Sequence, residues 1–576
     1  MKLRPLQHEH RPHFPDQEIL SNVRAGSTLL VVLVVVVMLS LGAYTFSELM
    51  IVEVEATNIY GRSIQSRELA LSGIELAAAY IGDRSEVDGW NSYHNPDQFQ
   101  NINLVPGEIT RTSGYFSVVA PVVSDAQSKT IRFGLINESG KLNLNILANE
   151  EVELSLDLEE DIEVDSAIDR LMYIPNMTED IAAAILDWID EDDETRSYGA
   201  ESDYYETLES PYFAKNGPLE SLDELLLIRD VTPEMLYGED TNRNGILDPN
   251  ENDGDATLPI DNADGVLDAG WFAYFSVHSR EINIRPDGSE KINVNGTMLT
   301  ELYDELEAEL GPDEARFIVA YRVSGPVLTA EDLESGGTGT IVGGGMSEEQ
   351  ALNELANGVA KALFSEEGVT VTRAGIDLSG GGPVAINSIF DLIGSEVEIE
   401  IDGQKTTLTS PWAADPATMT AELPILHDLL TTSKNQYIEG RIQIDEARLE
   451  TLQGIPEMDD DLANAIVNSQ MTGTNGASST EISQARQTTG WLVIEGLTTI
   501  EQMRKLAPSI CSGGDVFRAQ SLGYFGQGGP VIRVEAIIDG TFIPPRITYI
   551  RDLSNLGSGY SVSTLQGTTE EKWLSE

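Results

Sequence analysis

The sequence predicts an α+β protein: a long N-terminal membrane helix leads into an antiparallel sheet, and a large helical insertion interrupts that sheet. Three observations predict it. Residues Ser27 to Phe46 read STLLVVLVVVVMLSLGAYTF without a charge. Stretches with two-residue alternation lie near both ends of the remaining chain, and the stretches between them carry helical spacing and repeat. With 576 residues the chain exceeds what one core holds, so several modules are expected.

The apolar run of Ser27 to Phe46 is long enough to span a bilayer core, which takes roughly 20 residues at about 1.5 Å per residue. Lys2, Arg4, Arg11 and Arg24 precede it, and Glu48, Glu53 and Glu55 follow it. That asymmetry places the N-terminus in the cytoplasm and the bulk of the chain outside. Ile51, Val54, Ile59, Leu69, Ile74, Leu76 and Ile81 then recur at loosely helical spacing as far as Gly82. One helix of roughly 50 residues, about 75 Å long, is the expectation. Arg24-Ala25-Gly26 abuts the apolar run, so the basic leader ends in glycine. The alternative is an ordinary signal anchor or a cleaved secretory signal, for which Ser40 and Gly42 are small enough.

Gly114 to Ala120 and Ile131 to Ile136 alternate as strands, with Asn137 to Gly140 as a turn. Phe517 to Ser521, Val531 to Asp539 and Arg546 to Ile550 do the same far downstream. One sheet begun before the insertion and completed after it is the simplest arrangement. Within the insertion, Lys141-Leu142-Asn143-Leu144-Asn145, Lys291-Ile292-Asn293-Val294-Asn295 and Arg441-Ile442-Gln443-Ile444-Asp445 share one pattern. Each precedes a helical core: Ile181 to Trp188, Ala315 to Arg322 and Leu462 to Val467. Two of these helices begin with near copies, Ile174-Pro175-Asn176-Met177-Thr178 and Ile455-Pro456-Glu457-Met458-Asp459, where Thr178 and Asp459 would cap. Leu219 to Leu225 and Leu497 to Met503 each read as a further short helix. These are duplicated helical modules.

Thirty-five Lys plus Arg against 96 Asp plus Glu give a formal charge of −61, which repels phosphate backbones. The modules resemble helix-hairpin-helix or SAM-like units, which often bind DNA, but their hairpins are acidic and favour protein contact. Gly336 to Gly339 and Gly343 to Gly345 lack the spacing and the following Lys-Ser/Thr of a phosphate loop and read as linker. The single cysteine, Cys511, precludes an intramolecular disulfide and a cysteine-based zinc cluster. The histidines are scattered, and no grouping of nucleophile, base and orienter emerges.

The sharpest local signal is Asp240-Thr241-Asn242-Arg243-Asn244-Gly245-Ile246-Leu247-Asp248-Pro249-Asn250-Glu251. Asp240, Asn242, Asn244, Asp248 and Glu251 fall at positions 1, 3, 5, 9 and 12 of a calcium loop, Gly245 at the turn, and Ile246 offers its carbonyl at 7. Oxygen donors at those intervals wrap one Ca²⁺, because the turn at glycine lets both halves face inward. Asp264 to Asp268 echoes half of the pattern, with Ile260 in place of the first ligand.

A basic leader ending in Gly26 before a long half-membrane helix resembles the N-terminus of type IV pilins and type II pseudopilins. The resemblance implies a prepilin peptidase cut between Gly26 and Ser27. Most members carry glutamate at the fifth mature position, and here that position is Val31. The stretch Ile185 to Leu227, ILDWIDEDDETRSYGAESDYYETLESPYFAKNGPLESLDELLL, is similar to the minor pseudopilin K family of type II secretion systems. That family lacks the glutamate, splits a pilin-like sheet with a helical domain and holds calcium in that domain. The resemblance implies a non-enzymatic subunit of the bacterial inner membrane, crossing it once, with its bulk in the periplasm. It further implies a place at the pseudopilus tip, assembly initiated with minor pseudopilins of the I and J types, and contact with the secretion platform. The expected divisions are leader 1–26, helix 27–82, first part of the sheet 83–145, first helical module with the calcium loop 146–280, middle module 281–435, second helix-hairpin-helix-like module 436–510 and closing strands 511–576. Val323 to Leu430 fits the family poorly and reads as a lineage-specific expansion. The rival readings are a membrane-tethered calcium-binding adhesin or type IV pilus tip protein, and a hydrolase using Asp187, Asp190 and Asp192.

Overall fold

The computed structural model describes residues 18–83, 92–122, 130–148, 166–327, 371–472, 486–526 and 528–567. The chain forms two compact units, Met1–Gln65 and Ser66–Glu576. In the first, the described residues are all helical and belong to a helix that runs Glu18–Gly82. It begins upstream of the expected start, so Gly26 and Ser27 lie within it. Every side chain from Thr28 to Met50 is exposed, as a lipid-facing surface requires. The helix over Thr28 to Gly82 contains an apolar window long enough to cross a membrane.

In the second unit, the last turns of this helix bury Leu69, Ala70, Ile74, Ala77 and Ile81, spaced so that one helical face meets the sheet. The approach is close at two glycines. A Cβ on Gly523 would lie 1.9 Å from the Ser66 carbonyl, and one on Gly73 would lie 2.2 Å from Ser521 Oγ.

The strands follow in chain order. β1 (Ile102–Val105) and β2 (Gly114–Pro121) are followed by two short strands, β3 (Ile131–Arg132) and β4 (Ile136–Asn137). A first module opens on β5 (Leu142–Asn143) and closes on β6 (Phe275–Ser276), and β7 (Arg280–Ile282) leads away from it. A second module opens on β8 (Ile292–Asn293) and contains two hairpins, β9 (Thr372–Arg373) with β10 (Ile376–Asp377) and β11 (Glu396–Ile401) with β12 (Gln404–Thr409). It closes on β13 (Leu430–Thr431), after which comes β14 (Tyr437–Glu439). A third opens on β15 (Ile442–Gln443) and closes on β16 (Ile510–Cys511). β17 (Val516–Phe525), β18 (Ile532–Asp539) and β19 (Arg546–Asp552) complete the sheet.

The main sheet has the order β1-β2-β17-β18-β19, with β3 on β2 and β4 on β17, all antiparallel. The sheet is therefore started before the insertion and finished after it, as the alternating stretches imply. Ile131 to Ile136 is not one strand. At residues 133–135 the backbone turns to residues 92–95 instead: Asn95 N–H donates to the Phe133 carbonyl at 2.7 Å and Leu135 N–H to the Ser92 carbonyl at 2.8 Å. Buried Arg132 holds the turn by donating to the Leu135 carbonyl at 2.6 Å.

Each of the three look-alike stretches opens a module, and each pairs in parallel with the strand that closes the same module: Leu142 with Phe275, Ile292 with Leu430, Ile442 with Ile510. Parallel pairs need a crossover, and each helical module is that crossover. β7 and β14 pair antiparallel between them and form a neck. The amides of the pattern explain its recurrence. Asn145 Nδ2 donates to the Leu219 and Val277 carbonyls at 3.0 and 3.1 Å, and Leu219 N–H donates back to Oδ1 at 2.7 Å. Asn295 repeats this with the Ile386 and Thr432 carbonyls at 2.9 and 3.1 Å and with Ile386 N–H at 2.9 Å. Asp445 at the third position lacks an amide donor. There Gln470 reaches back, donating from Nε2 to the Ile444 and Ala447 carbonyls.

The helices within the modules also correspond. Ser166–Met172 and Glu179–Ile189 in the first match Leu449–Gln453 and Asp460–Thr472 in the third. The two hairpins turn at Asn176 and Glu457, whose φ values of 62 and 64 are the same left-handed step. Thr178 accepts from Ile181 N–H and Asp459 from Leu462 N–H, so both expected caps form. The middle module pairs Leu299–Glu309 with Pro312–Ser324. Short helices Leu222–Leu227, Ile389–Leu392 and Ile500–Leu506 follow behind Ser221, Ser388 and Thr499. The expected glycine linkers, 336–339 and 343–345, lie outside the described residues. Residues 371–430 of the proposed expansion form packed structure that shares the insertion's core through Ile386, Phe390, Trp412 and Leu423.

Replacing Asn145 by leucine leaves three buried backbone groups unpaired, each costing about 1–3 kcal/mol. Urea unfolding of the full chain in detergent is expected to show a loss of about 3 kcal/mol, with hydrogen exchange rising first at the Leu219 N–H.

Candidate metal centre

The loop from Asp240 to Glu251 follows the short helix Pro233–Tyr237 and ends in a single helical turn, Pro249–Glu251. Its geometry begins with Asp240, whose carboxylate turns inward and accepts Asn244 N–H at 2.9 Å and Gly245 N–H at 2.8 Å. Gly245 has φ 68, the left-handed step that lets the chain reverse there. Asp248 enters from the other side, where Oδ2 accepts Asn242 Nδ2 at 2.6 Å and Asn244 Nδ2 at 3.0 Å. Glu251 Oε2 accepts Asp248 N–H at 3.1 Å. Asp240, Asn244 and Glu251 are buried, with exposures of 8%, 1% and 1%.

Each of these three carboxylates thus accepts hydrogen bonds from within the loop. Burial pushes Asp240 up to about 6, against the pull of the Gly245 and Asn244 amides. Burial and then the neighbouring charges of Asp240 and Asp248 push Glu251 up to about 7. Two buried oxygens, Asn242 Oδ1 and Glu251 Oε1, have no hydrogen-bond partner. Unpartnered buried oxygens are what a hard cation satisfies. Of the expected set Asp240, Asn242, Asn244, the Ile246 carbonyl, Asp248 and Glu251, the Asn242 and Glu251 oxygens are thus open to a hard cation, while Asn244 Oδ1 accepts Ile246 N–H at 2.7 Å. The downstream echo differs. Asp261 accepts Gly254 and Ala263 N–H, Asp264 accepts Val266 N–H, and Asp268 accepts Gly270 N–H, all at 2.7–2.9 Å, so backbone donors already answer these carboxylates.

A second cluster lies in the same module. At the end of the helix Glu179–Ile189, Asp187 and Asp190 meet Glu201, with one carboxylate oxygen from each within 4.8 Å of the others. Arg196 bridges the two aspartates and donates to Asp187 Oδ1 at 3.0 Å. Asp187 Oδ2, Asp190 Oδ1 and both Glu201 oxygens have no hydrogen-bond partner. Burial, then Asp187 and Asp190, push Glu201 up to about 7. Sequence reasoning grouped Asp187 and Asp190 with Asp192. Asp192 instead closes a local turn by accepting Glu194 N–H at 2.7 Å, and Glu201 takes its place. The signal for Glu201 was present in the Gly-Ala-Glu stretch, but its approach depends on a loop whose path only tertiary packing sets.

An apolar N-terminal helix joined to a sheet split by helical modules defines a helix-anchored α+β scaffold. Residues 140–237 match the family model for type II secretion system (T2SS), protein K. A chain of the GspK-GspI-GspJ complex from the enterotoxigenic Escherichia coli type 2 secretion system aligns over 87% of this chain and 98% of its own length, at 9% identity and a TM-score of 0.31. No curated protein matches the sequence. The matched segment runs through the opening strand of the first module and the Asp187 cluster and ends immediately before the loop at Asp240.

Glu251→Gln and Glu201→Gln are expected to weaken two separate calcium-binding events, each by about tenfold or more. Calorimetric titration of the full chain with CaCl₂ checks this. Equal binding by wild type and both variants would remove both clusters as cation sites.

Proposed function

We propose that the chain is the minor pseudopilin at the tip of a type II secretion pseudopilus, where it starts assembly with minor pseudopilins of the I and J types for protein export. The observation that carries the reading is the match of residues 140–237 to protein K within a module that interrupts a sheet following a long apolar helix. The helix anchors the subunit in the inner membrane, with the N-terminus cytoplasmic and the modules periplasmic. Prepilin peptidase cuts between Gly26 and Ser27, and the secretion platform receives the mature subunit.

Val31 supports the tip position. A carboxylate at that mature position would neutralise the terminal amine of a neighbouring subunit, and valine cannot. The bulk of the modules then blocks addition of another subunit above. Calcium at Asp240, Asn242, Asn244, Ile246, Asp248 and Glu251 serves as a structural clamp. The Asp187, Asp190 and Glu201 cluster is proposed as a second place for a hard cation.

Protein recovered from cells with prepilin peptidase is expected to start at Ser27, and protein from cells without it to keep its leader, as intact mass reports. A start near Ala43, or an uncut chain in both strains, would overturn the assignment. Affinity purification from secreting cells is expected to bring down the other minor pseudopilins, and an adhesin would not.

A further inference from the structure

The calcium loop faces the sheet. Its three successive carbonyls at Asn242, Arg243 and Asn244 are each taken by a side chain from outside the first module. The buried Arg533 guanidinium on β18 donates to the Asn242 carbonyl. Gln520 Nε2 on β17 donates to the Arg243 carbonyl at 3.1 Å. The Tyr560 hydroxyl, beyond β19, donates to the Asn244 carbonyl at 2.5 Å and stands 3.0 Å from Gln520 Oε1. Asn244 in turn donates from Nδ2 to the Gly559 carbonyl at 2.9 Å. Ile246 adds an apolar contact by packing into the core of the sheet.

These contacts have a direction. Drawing the carbonyls of 242–244 outward leaves the N–H groups of Asn244 and Gly245 pointing inward, where both grip Asp240. The sheet and the segment around Tyr560 therefore hold the loop in the curvature that brings its carboxylates together. Tyr560 itself is buried, and so is Leu565 on the helical turn Val562–Leu565. Tyr560 and Leu565 belong to the core of the sheet.

We infer that Gln520, Arg533 and Tyr560 are positioning residues for the cation loop, so that calcium binding and docking of the segment Leu553 to Gly567 onto the sheet reinforce each other. This rests on the reading of residues 240–251 as a calcium loop. Coupling is reciprocal: a cation that fixes the loop curvature strengthens the hold on the segment, and loss of the Tyr560 hydroxyl weakens the cation site. Calcium then latches the first module and the segment after β19 to the same two strands.

The test uses the full chain in detergent micelles, wild type and Tyr560→Phe, with Gln520→Ala as a second variant, because Tyr560→Phe removes a single oxygen from a buried ring. Calcium titration is expected to show a loss of affinity in both variants of about five- to a hundredfold, the range of ordinary site coupling. Hydrogen exchange is expected to slow at 553–567 when CaCl₂ replaces EGTA in the wild type, and to change little there in Glu251→Gln. If both variants bind calcium as the wild type does, or the exchange of 553–567 ignores calcium while the loop binds it, the coupling is wrong and the loop reading survives. If Glu251→Gln leaves every calcium-binding event intact, the loop reading fails and the coupling falls with it.

Discussion

Glu138 sits on the turn between β4 and β5 with no exposure to solvent, where the chain leaves the sheet for the first module. A bare carboxylate there would be costly, because burial alone raises its pKa. Arg518 from β17 donates to both of its oxygens at 2.8 and 3.3 Å, Lys141 donates at 3.1 Å, and Ser276 Oγ at the exit of the first module donates at 2.7 Å. Together they hold the carboxyl far below the usual range, so it stays ionised throughout neutral and mildly acidic conditions. Arg518 continues to Glu535 on β18 at 3.0 Å. One charge thus sets the register of two sheet strands against the strand that opens the insertion and the strand that closes its first module.

The remainder of the neck follows the same logic. Arg280 on β7 pairs with Asp539 at the end of β18, and Ile282 N–H donates to Asp515 at 2.6 Å. Arg132 on β3 faces Glu446 just after β15 at 3.5 Å. Polar groups buried at a junction are geometrically demanding, whereas an apolar junction of this size would tolerate sliding. The abundance of acid in the chain leaves these basic residues little choice of site: 35 Lys plus Arg among 96 acids, with several of the arginines spent inside the neck.

Much of this was legible in the residues, and what was not has identifiable causes. The long helix, β2, β17, β18 and β19 announce themselves because alternation or helical spacing runs over many residues. The caps at Thr178 and Asp459 are local, so they read correctly. The loop at Asp240 is also local, and the turn expected at Gly245 forms with φ 68. The two-residue strands at the neck carry no periodicity, and their partners lie far along the chain. The repeated Lys-Leu-Asn-Leu-Asn pattern could be seen, yet its purpose, an amide that closes each module on itself, needed Leu219, Val277, Ile386 and Thr432 in place. Glu201 escaped the grouping of Asp187 with Asp190 for the same reason. The break in Ile131 to Ile136 came from backbone partners at Ser92 and Asn95 that no pattern in the segment reveals.

Parallel closure of each module has a mechanical side. Because β2 and β17 are hydrogen-bonded neighbours from Gly114 to Val119 and from Gln520 to Phe525, they are adjacent in space despite nearly 400 intervening residues. A pull along the helix residues packed on these strands would load that short ladder in shear. The modules, lying between the two strands in the chain but outside their ladder, are free to vary in size without altering it.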